Sequence, residues 1–246
     1  MDTKPLNTPP SLDQLRGEGV LALFLDFDGT LVDLAATPDG IQIPEQLSDR
    51  LGRLRDTLGG RLALVSGRAV TDLERHLGPL TIARAGSHGA ARMRADGSRI
   101  GEDAQALPPA VNAELAHFAQ SAGFDLESKD HGAALHYRRD PSLEQRGLDF
   151  VHDLADRHEL AVKRGKFVIE LVHRGADKAG AVRAFMAEPP FAGATPVFIG
   201  DDVTDEDGFA AAEALGGFGI VVGDRTPTRA RYRLDSPQAV HDWLAL

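Results

Sequence analysis

The sequence predicts an α/β protein: a doubly wound parallel-sheet core interrupted by a smaller inserted α/β cap. Three observations lead there. The apolar runs Leu21–Leu25, Leu62–Val65 and Pro196–Ile199 each end in polar or glycine-bearing turns. That is the pattern of strands covered on both faces, with ligand sites just beyond their carboxyl ends. The first two runs alternate with segments of helical apolar spacing, which favours a parallel sheet. Between the second and third runs the texture changes to short apolar stretches paired across turn residues, the mark of hairpins and an antiparallel sheet.

The elements follow in order. After the first strand, Ile43 to Leu58 carries Leu47, Leu51, Leu54 and Leu58 at helical spacing, and Val70 to Leu77 repeats the pattern. The insert opens with a helix over Pro109 to Ala122. Strands over Phe124–Ser128 and Ala133–Arg138 then form a hairpin across Lys129–Gly132. A second helix, Ser142 to His158, precedes another hairpin in which Leu160–Lys163 and Lys166–Val172 flank Arg164-Gly165. The parallel pattern resumes at Pro196–Gly200 and Gly219–Gly223. The expected division is a core of residues 1–106 and 172–246 and a cap of residues 107–171.

Composition bounds the function. The chain has no cysteine, which excludes disulfides, thiolate metal ligands and a thiol nucleophile. A formal charge of −10 argues against a nucleic-acid footprint and against a membrane surface. Met1 to Pro10 lacks a signal-like apolar core and no apolar run is long enough to span a bilayer, so the expected setting is the cytoplasm.

The chemistry concentrates at the strand ends. Asp26 and Asp28, two apart on an extended segment, face the same side and can address one phosphate or metal. A polar turn accounts for the same residues when they are taken alone. Ser66 reads either as a helix cap or as a hydroxyl offered to phosphoryl oxygens. Lys178 reads as a solvated first-turn lysine or as the cation that neutralises a nucleophile and a transferred phosphoryl group. Read together and in order, Asp26-x-Asp28-Gly-Thr30, Ser66, Lys178 and Gly200-Asp201-Asp202-x-x-Asp205 resemble the haloacid-dehalogenase (HAD) superfamily of aspartate-based phosphohydrolases, with its Rossmann-like core.

In this reading Asp26 attacks phosphorus, forming an aspartyl-phosphate that splits one hard hydrolysis into two transfers. An all-oxygen cluster of this kind selects Mg²⁺. The resemblance implies Asp26, Asp201 and the main-chain carbonyl of Asp28 as its ligands. The carboxylate of Asp28 is then free to protonate the leaving oxygen and later to take a proton from water. Asp202 and Asp205 bind the metal through water or orient Lys178. Glu206 and Asp207 belong to the solvated start of the next helix.

A second set of residues narrows the family. Glu127-x-Lys129, His136-Tyr137-Arg138, Gly165-Lys166-x-x-x-Glu170, Gly86-x-His88-Gly89 and Asp201-Asp202-x-Thr204-Asp205-Glu206-Asp207 resemble the trehalose-6-phosphate phosphatases. The chain departs from them in carrying Ala90-Ala91-Arg92 where an acidic residue often follows the His-Gly pair. The resemblance implies a sugar-phosphate substrate and a functional link to a trehalose-6-phosphate synthase. It implies substrate contacts from Glu127, Lys129, His136, Arg138, Lys166 and Glu170 in the insert, and from Thr30, Gly67, Arg68 and His88 in the core. A cross-strand salt bridge accounts equally for Lys166 and Glu170. Other sugar phosphates, and a silent sugar-phosphate sensor, remain alternatives at this level.

Overall fold

The computed structural model describes residues 6–35, 40–101, 106–129, 131–165 and 167–246, with Lys129 described by its backbone alone. The chain divides into two compact units, Met1–Gly101 with Asp177–Leu246, and Glu102–Ala176. The boundaries expected at 106/107 and 171/172 therefore move to 101/102 and 176/177. The last strand of the insert runs to His173 and stays paired along its length, so the cap cannot end at residue 171.

The first unit is a seven-stranded sheet in the order β11-β10-β9-β1-β2-β3-β4. The strands are β1 (Leu21–Leu25), β2 (Leu62–Val65), β3 (Ala83–Gly86), β4 (Ala91–Met93), β9 (Thr195–Gly200), β10 (Phe218–Val222) and β11 (Tyr232–Leu234). All neighbours are parallel except β4, which runs antiparallel along the edge of β3, an exception to the expected parallel pattern. The chain builds outward from β1 through β2 and β3, then returns to pair β9 on the other side of β1. That reversal is a topological switch point, where open α/β sheets bind ligands at the strand carboxyl ends.

Alternation along β1 explains why its apolar run is continuous. Leu23 and Leu25 enter a core with Leu62, Leu64, Val197 and Ile199. That core includes residues of α1 (Leu12–Glu18), α2 (Leu47–Thr57), α3 (Val70–Leu77) and α8 (Pro237–Leu244). Ala22 and Phe24 enter the opposite one, with Ala63, Val65 and Phe198 and residues of α6 (Lys178–Met186) and α7 (Asp205–Ala214). Both faces of the sheet are buried, as the strand pattern requires. Phe24 stacks on Phe191 at 5.5 Å between ring centroids. Removing its ring would cost about 3–5 kcal/mol. Helix α2 begins at Leu47, not Ile43, because Gln46 sits at φ 57 and Pro44 precedes it.

The second unit is a four-stranded antiparallel sheet in the order β5-β6-β8-β7, with β5 Asp125–Lys129, β6 Gly132–His136, β7 Leu160–Gly165 and β8 Val168–His173. Helices α4 (Pro109–Ala122) and α5 (Glu144–Arg157) cover one face, closing a core around Val111, Leu115, Leu135, Val151, Leu154 and Ile169. Strand β6 stops at His136, two residues short of expectation. Tyr137 is buried and donates its N–H to the carbonyl of Phe167, and a turn follows, leaving Arg138 exposed in it. The sequence Pro141-Ser142-Leu143 forms a 3-10 turn, so α5 starts at Glu144 and not at Ser142. No helix among the described residues is long and apolar enough to cross a membrane.

Candidate active site

The carboxyl ends of β1, β9 and β2 deliver Asp26, Asp201 and Ser66 side by side, because these three strands are neighbours in the sheet. The N–H of Asp26 donates to the carbonyl of Ile199 at 2.9 Å and that of Ser66 to Ala85 at 2.9 Å, so each residue continues its strand's pairing by one step. Carboxylate oxygens of Asp26, Asp201 and Asp205 lie within 4.8 Å of one another.

Lys178 reaches this group from the first turn of α6, whose N-terminus is capped by the carboxylate of Asp177 accepting the N–H of Gly180 at 2.6 Å. Its Nζ donates to Asp26 Oδ1 at 2.8 Å and to Asp205 Oδ1 at 2.6 Å, and only 2% of the residue is exposed. The solvated-lysine alternative is thereby removed. Asp205 is fully buried, its second oxygen accepting the N–H of Asp202 at 2.9 Å. Asp205 thus orients Lys178, while Asp202 contributes its main chain and leaves its own side chain exposed.

Two glycines make this approach feasible. A Cβ on Gly29, whose φ is +76°, would stand 2.2 Å from Asp201 Oδ2, and one on Gly200 would stand 2.2 Å from Cγ of Asp205. Thr30, also fully buried, donates its hydroxyl to Asp201 Oδ1 at 3.4 Å.

The electrostatics of this group suit a bound cation. Burial, and then the neighbouring Asp205, push the Asp26 carboxyl well above the usual range. Burial with Asp205 and Asp202 pushes Asp201 up to about 6. Burial opposes the charge of Lys178, but Asp26 and Asp205 hold its pKa above the usual lysine value. Three carboxylates with one ammonium leave two negative charges unbalanced, which is the charge of one divalent ion. Hard oxygen donors suit Mg²⁺. With both oxygens of Asp205 already engaged, Asp26 and Asp201 are the residues that fit it.

Asp28 is not free. Arg68 grips both its oxygens, Nε to Oδ2 and Nη2 to Oδ1, each at 2.7 Å. Nη1 of Arg68 holds Asp72 Oδ2 at 2.8 Å, and the guanidinium lies over the Phe27 ring at 5.8 Å. Its hydrogen bonds to Asp28 hold the guanidinium pKa above its ordinary value. Ser66, fully buried, accepts the N–H of Arg68 on Oγ at 3.1 Å. It therefore closes the turn carrying Arg68 and does not cap α3, whose N-cap is Ala69. His88 donates its main-chain N–H to the carbonyl of Ser66 at 2.9 Å, and its ring packs where a Cβ on Gly67 would stand, 2.7 Å from Cε1.

No motif in the sequence singles out Arg225, which follows β10. Its Nε donates to the main-chain carbonyl of Asp201 at 3.1 Å and its Nη2 bonds the carboxylate of Glu206. Glu206 is thus a partnered residue, contrary to the expectation of a solvated helix start. Burial raises its pKa, but the Arg229 N–H and the Arg225 guanidinium outweigh that and hold it below the usual range. The available signal was positional: Gly223-Asp224-Arg225 follows a buried strand that neighbours β9. A groove of about 330 Å³ beside Asp201 is lined by Gly29, Leu34, Asp224, Arg225 and Asp235, among others.

In the second unit, strand register aligns Glu127, Ala134, Glu170 and Lys163 in one row across the sheet. Paired positions share a face, and this is the face opposite the helices, since Leu135, Ile169 and Leu171 point the other way into the core. Glu127 Oε2 and His136 Nε2 meet at 2.9 Å, both side chains substantially exposed. Lys129 occupies a position on the same face of β5. The residue opposite Glu170 on β7 is Lys163, whose Nζ donates to the carbonyl of Ala176 at 2.5 Å. Lys166 lies outside the described residues.

Comparison with known proteins decides the family. The trehalose-phosphatase family model matches residues 24–238. The chain belongs to the trehalose-phosphatase family. Trehalose-6-phosphate phosphatase of Escherichia coli is 37% identical over 251 residues, covering 99% of this chain and 91% of that protein. The C-terminal domain of the C. albicans trehalose-6-phosphate phosphatase superposes with a TM-score of 0.75 at 22% identity, covering 98% of each chain. A Bacteroides thetaiotaomicron protein of the haloalkanoate (HAD) superfamily of phosphatases has a TM-score of 0.70 at 19% identity, over 93% of this chain and 94% of that one. These two likenesses carry the fold. As a trehalose-phosphatase the protein is a phosphoric monoester hydrolase with a HAD-type core and an inserted α/β cap.

Proposed function

We propose that the protein hydrolyses trehalose 6-phosphate to trehalose and inorganic phosphate, the final step of trehalose biosynthesis, through a phosphorylated Asp26 and with Mg²⁺ bound by Asp26 and Asp201. The observation that carries the chemistry is the buried contact of Lys178 with both Asp26 and Asp205 at the sheet's switch point. Lys178 fixes the Asp26 carboxylate and adds positive charge where the phosphoryl group arrives, preorganised in a site of low dielectric. Mg²⁺, when bound, supplies the remaining positive charge against the phosphoryl oxygens.

Asp26 attacks phosphorus while the sugar oxygen departs with a proton from Asp28; Asp28 then takes a proton from the water that attacks the aspartyl-phosphate, releasing phosphate. For this the Arg68 grip on Asp28 must open, and the freed guanidinium becomes a fork for phosphoryl oxygens. Ser66, Gly67 and His88 shape the turn that carries Arg68, and Thr30 holds Asp201. Asp202 supports Asp205 through its main chain.

Glu127, Lys129, His136, Arg138, Lys166 and Glu170 are the proposed sugar readers. Carboxylates accept from sugar hydroxyls and cations donate to them. The proposed partner is a small-molecule sugar phosphate, with a functional link to a trehalose-6-phosphate synthase in the cytoplasm.

The test is phosphate release from trehalose 6-phosphate, sucrose 6-phosphate, glucose 6-phosphate and an aryl phosphate, with Mg²⁺ and with chelator. The expected result is Mg²⁺-dependent release with a strong preference for trehalose 6-phosphate. Preference for another sugar would overturn the substrate, and undiminished release in chelator would overturn the cation.

A further inference from the structure

Arg225 closes a clamp that the chemistry above does not use. Its guanidinium spends every edge on fixed partners: Nε on the Asp201 carbonyl at 3.1 Å, Nη1 on the Pro227 carbonyl at 3.3 Å and Nη2 on the Glu206 carboxylate. Glu206 uses its second oxygen to accept the main-chain N–H of Arg229 at 2.8 Å. The loop between β9 and α7 is thereby tied to the loop that follows β10. Both side chains are about three-quarters buried, 25% and 22% exposed. A planar guanidinium shared among a carboxylate and two carbonyls has little freedom to reorient.

We propose that Arg225 and Glu206 are positioning residues for the cation site. The clamp fixes the main chain of Asp201, and with it the direction of the Asp201 carboxylate, against which Gly29 packs and to which Thr30 donates its hydroxyl. Groups that orient a metal ligand from outside the ligand set typically govern affinity about 10- to 100-fold. Lysine in place of Arg225 reaches one partner at a time and restores part of the effect. The inference rests on the reading of Asp26 and Asp201 as cation ligands.

The experiment measures Mg²⁺ binding directly, by calorimetry and by competition against Mn²⁺ followed by its paramagnetic resonance. The proteins are wild type, Arg225→Ala, Arg225→Lys, Glu206→Gln and Asp201→Asn, with melting temperatures recorded in chelator. Expected is a Kd about 10- to 100-fold weaker for Arg225→Ala. A smaller loss is expected for Arg225→Lys and Glu206→Gln, and near-complete loss for Asp201→Asn. The activity deficit of the Arg225 variants shrinks as Mg²⁺ is raised, with the KM for sugar phosphate little changed. A lower melting temperature with an unchanged Kd in the Arg225 and Glu206 variants, while Asp201→Asn loses binding, overturns the clamp and leaves the cation site standing. Equal binding by wild type and Asp201→Asn overturns the cation site, and the clamp with it.

Discussion

The core and the cap place their functional side chains in opposite physical settings. In the core, Asp26, Lys178 and Asp205 are almost completely buried and each is bonded to another member of the site. In the cap, Glu127 and His136 stand on an open sheet face, with 52% and 41% of their side chains exposed. Charge buried this deeply is tolerated only when it is paired, and pairing fixes geometry; that is what phosphoryl transfer needs. Exposed polar groups keep their water until a sugar replaces it, which suits recognition. Chemistry and specificity should therefore fail separately.

The largest separation is expected for Asp26→Asn, which removes the nucleophile and should cost on the order of 10⁴-fold or more in turnover on every phosphate ester. Circular dichroism should show an intact fold. Steady hydrolysis by the folded variant would remove Asp26 from its role. Lys178→Met comes next, because it leaves Asp26 and Asp205 buried without their cation. Turnover should fall about 10²- to 10³-fold and stability by about 3–5 kcal/mol, read by denaturant unfolding. Loss of activity alone, with stability unchanged, would mean the carboxylates find other partners.

Glu170→Ala sharpens the contrast from the cap side. A hydrogen bond to a charged group contributes about 1.5–3 kcal/mol, so trehalose 6-phosphate hydrolysis should drop about 10- to 100-fold while an aryl phosphate is nearly unaffected. Equal losses on both substrates would place Glu170 in the cap's structure and not in sugar reading.

The smallest effect is a pH dependence of the metal-free core. The carboxyl of Asp201 sits near 6 in the folded state and near 3.8 in an unfolded chain. The native state therefore binds its proton more tightly, and stability from this group falls as pH rises from about 4 to 6, then levels. Asp201→Asn lacks that penalty. In chelator the variant should melt a few degrees above wild type at pH 7. The gap should close as pH falls below 6, and Mg²⁺ should reverse it by stabilising only the wild type. A gap independent of pH would mean that the charge of Asp201 is already balanced.

Much of the site was legible because strand ends are local features. A continuous apolar run, buried on both faces and ending in Asp26 or Asp201, announces both the strand and the edge on which its polar residues emerge. The cap helices were legible from their apolar spacing, yet the placement of Arg138 in a turn was not, because Tyr137 turns inward and ends β6 before it. Arg225 was not legible, because a lone arginine after a strand carries no motif. Only the adjacency of β10 to β9 brings it to the Asp201 carbonyl.

The α/β class, the inserted cap, the order of the phosphohydrolase motifs and the membership that follows from them can thus all be read along the chain. Periodicity, turn chemistry and residue spacing are written along the chain. The pairings come only with the folded chain: Arg68 with Asp28 across 40 residues, Lys178 with Asp26 across 152, and Arg225 with Asp201 across 24. These depend on which strands lie side by side, and strand order is settled by packing two faces of one sheet, a condition that no local stretch of sequence contains.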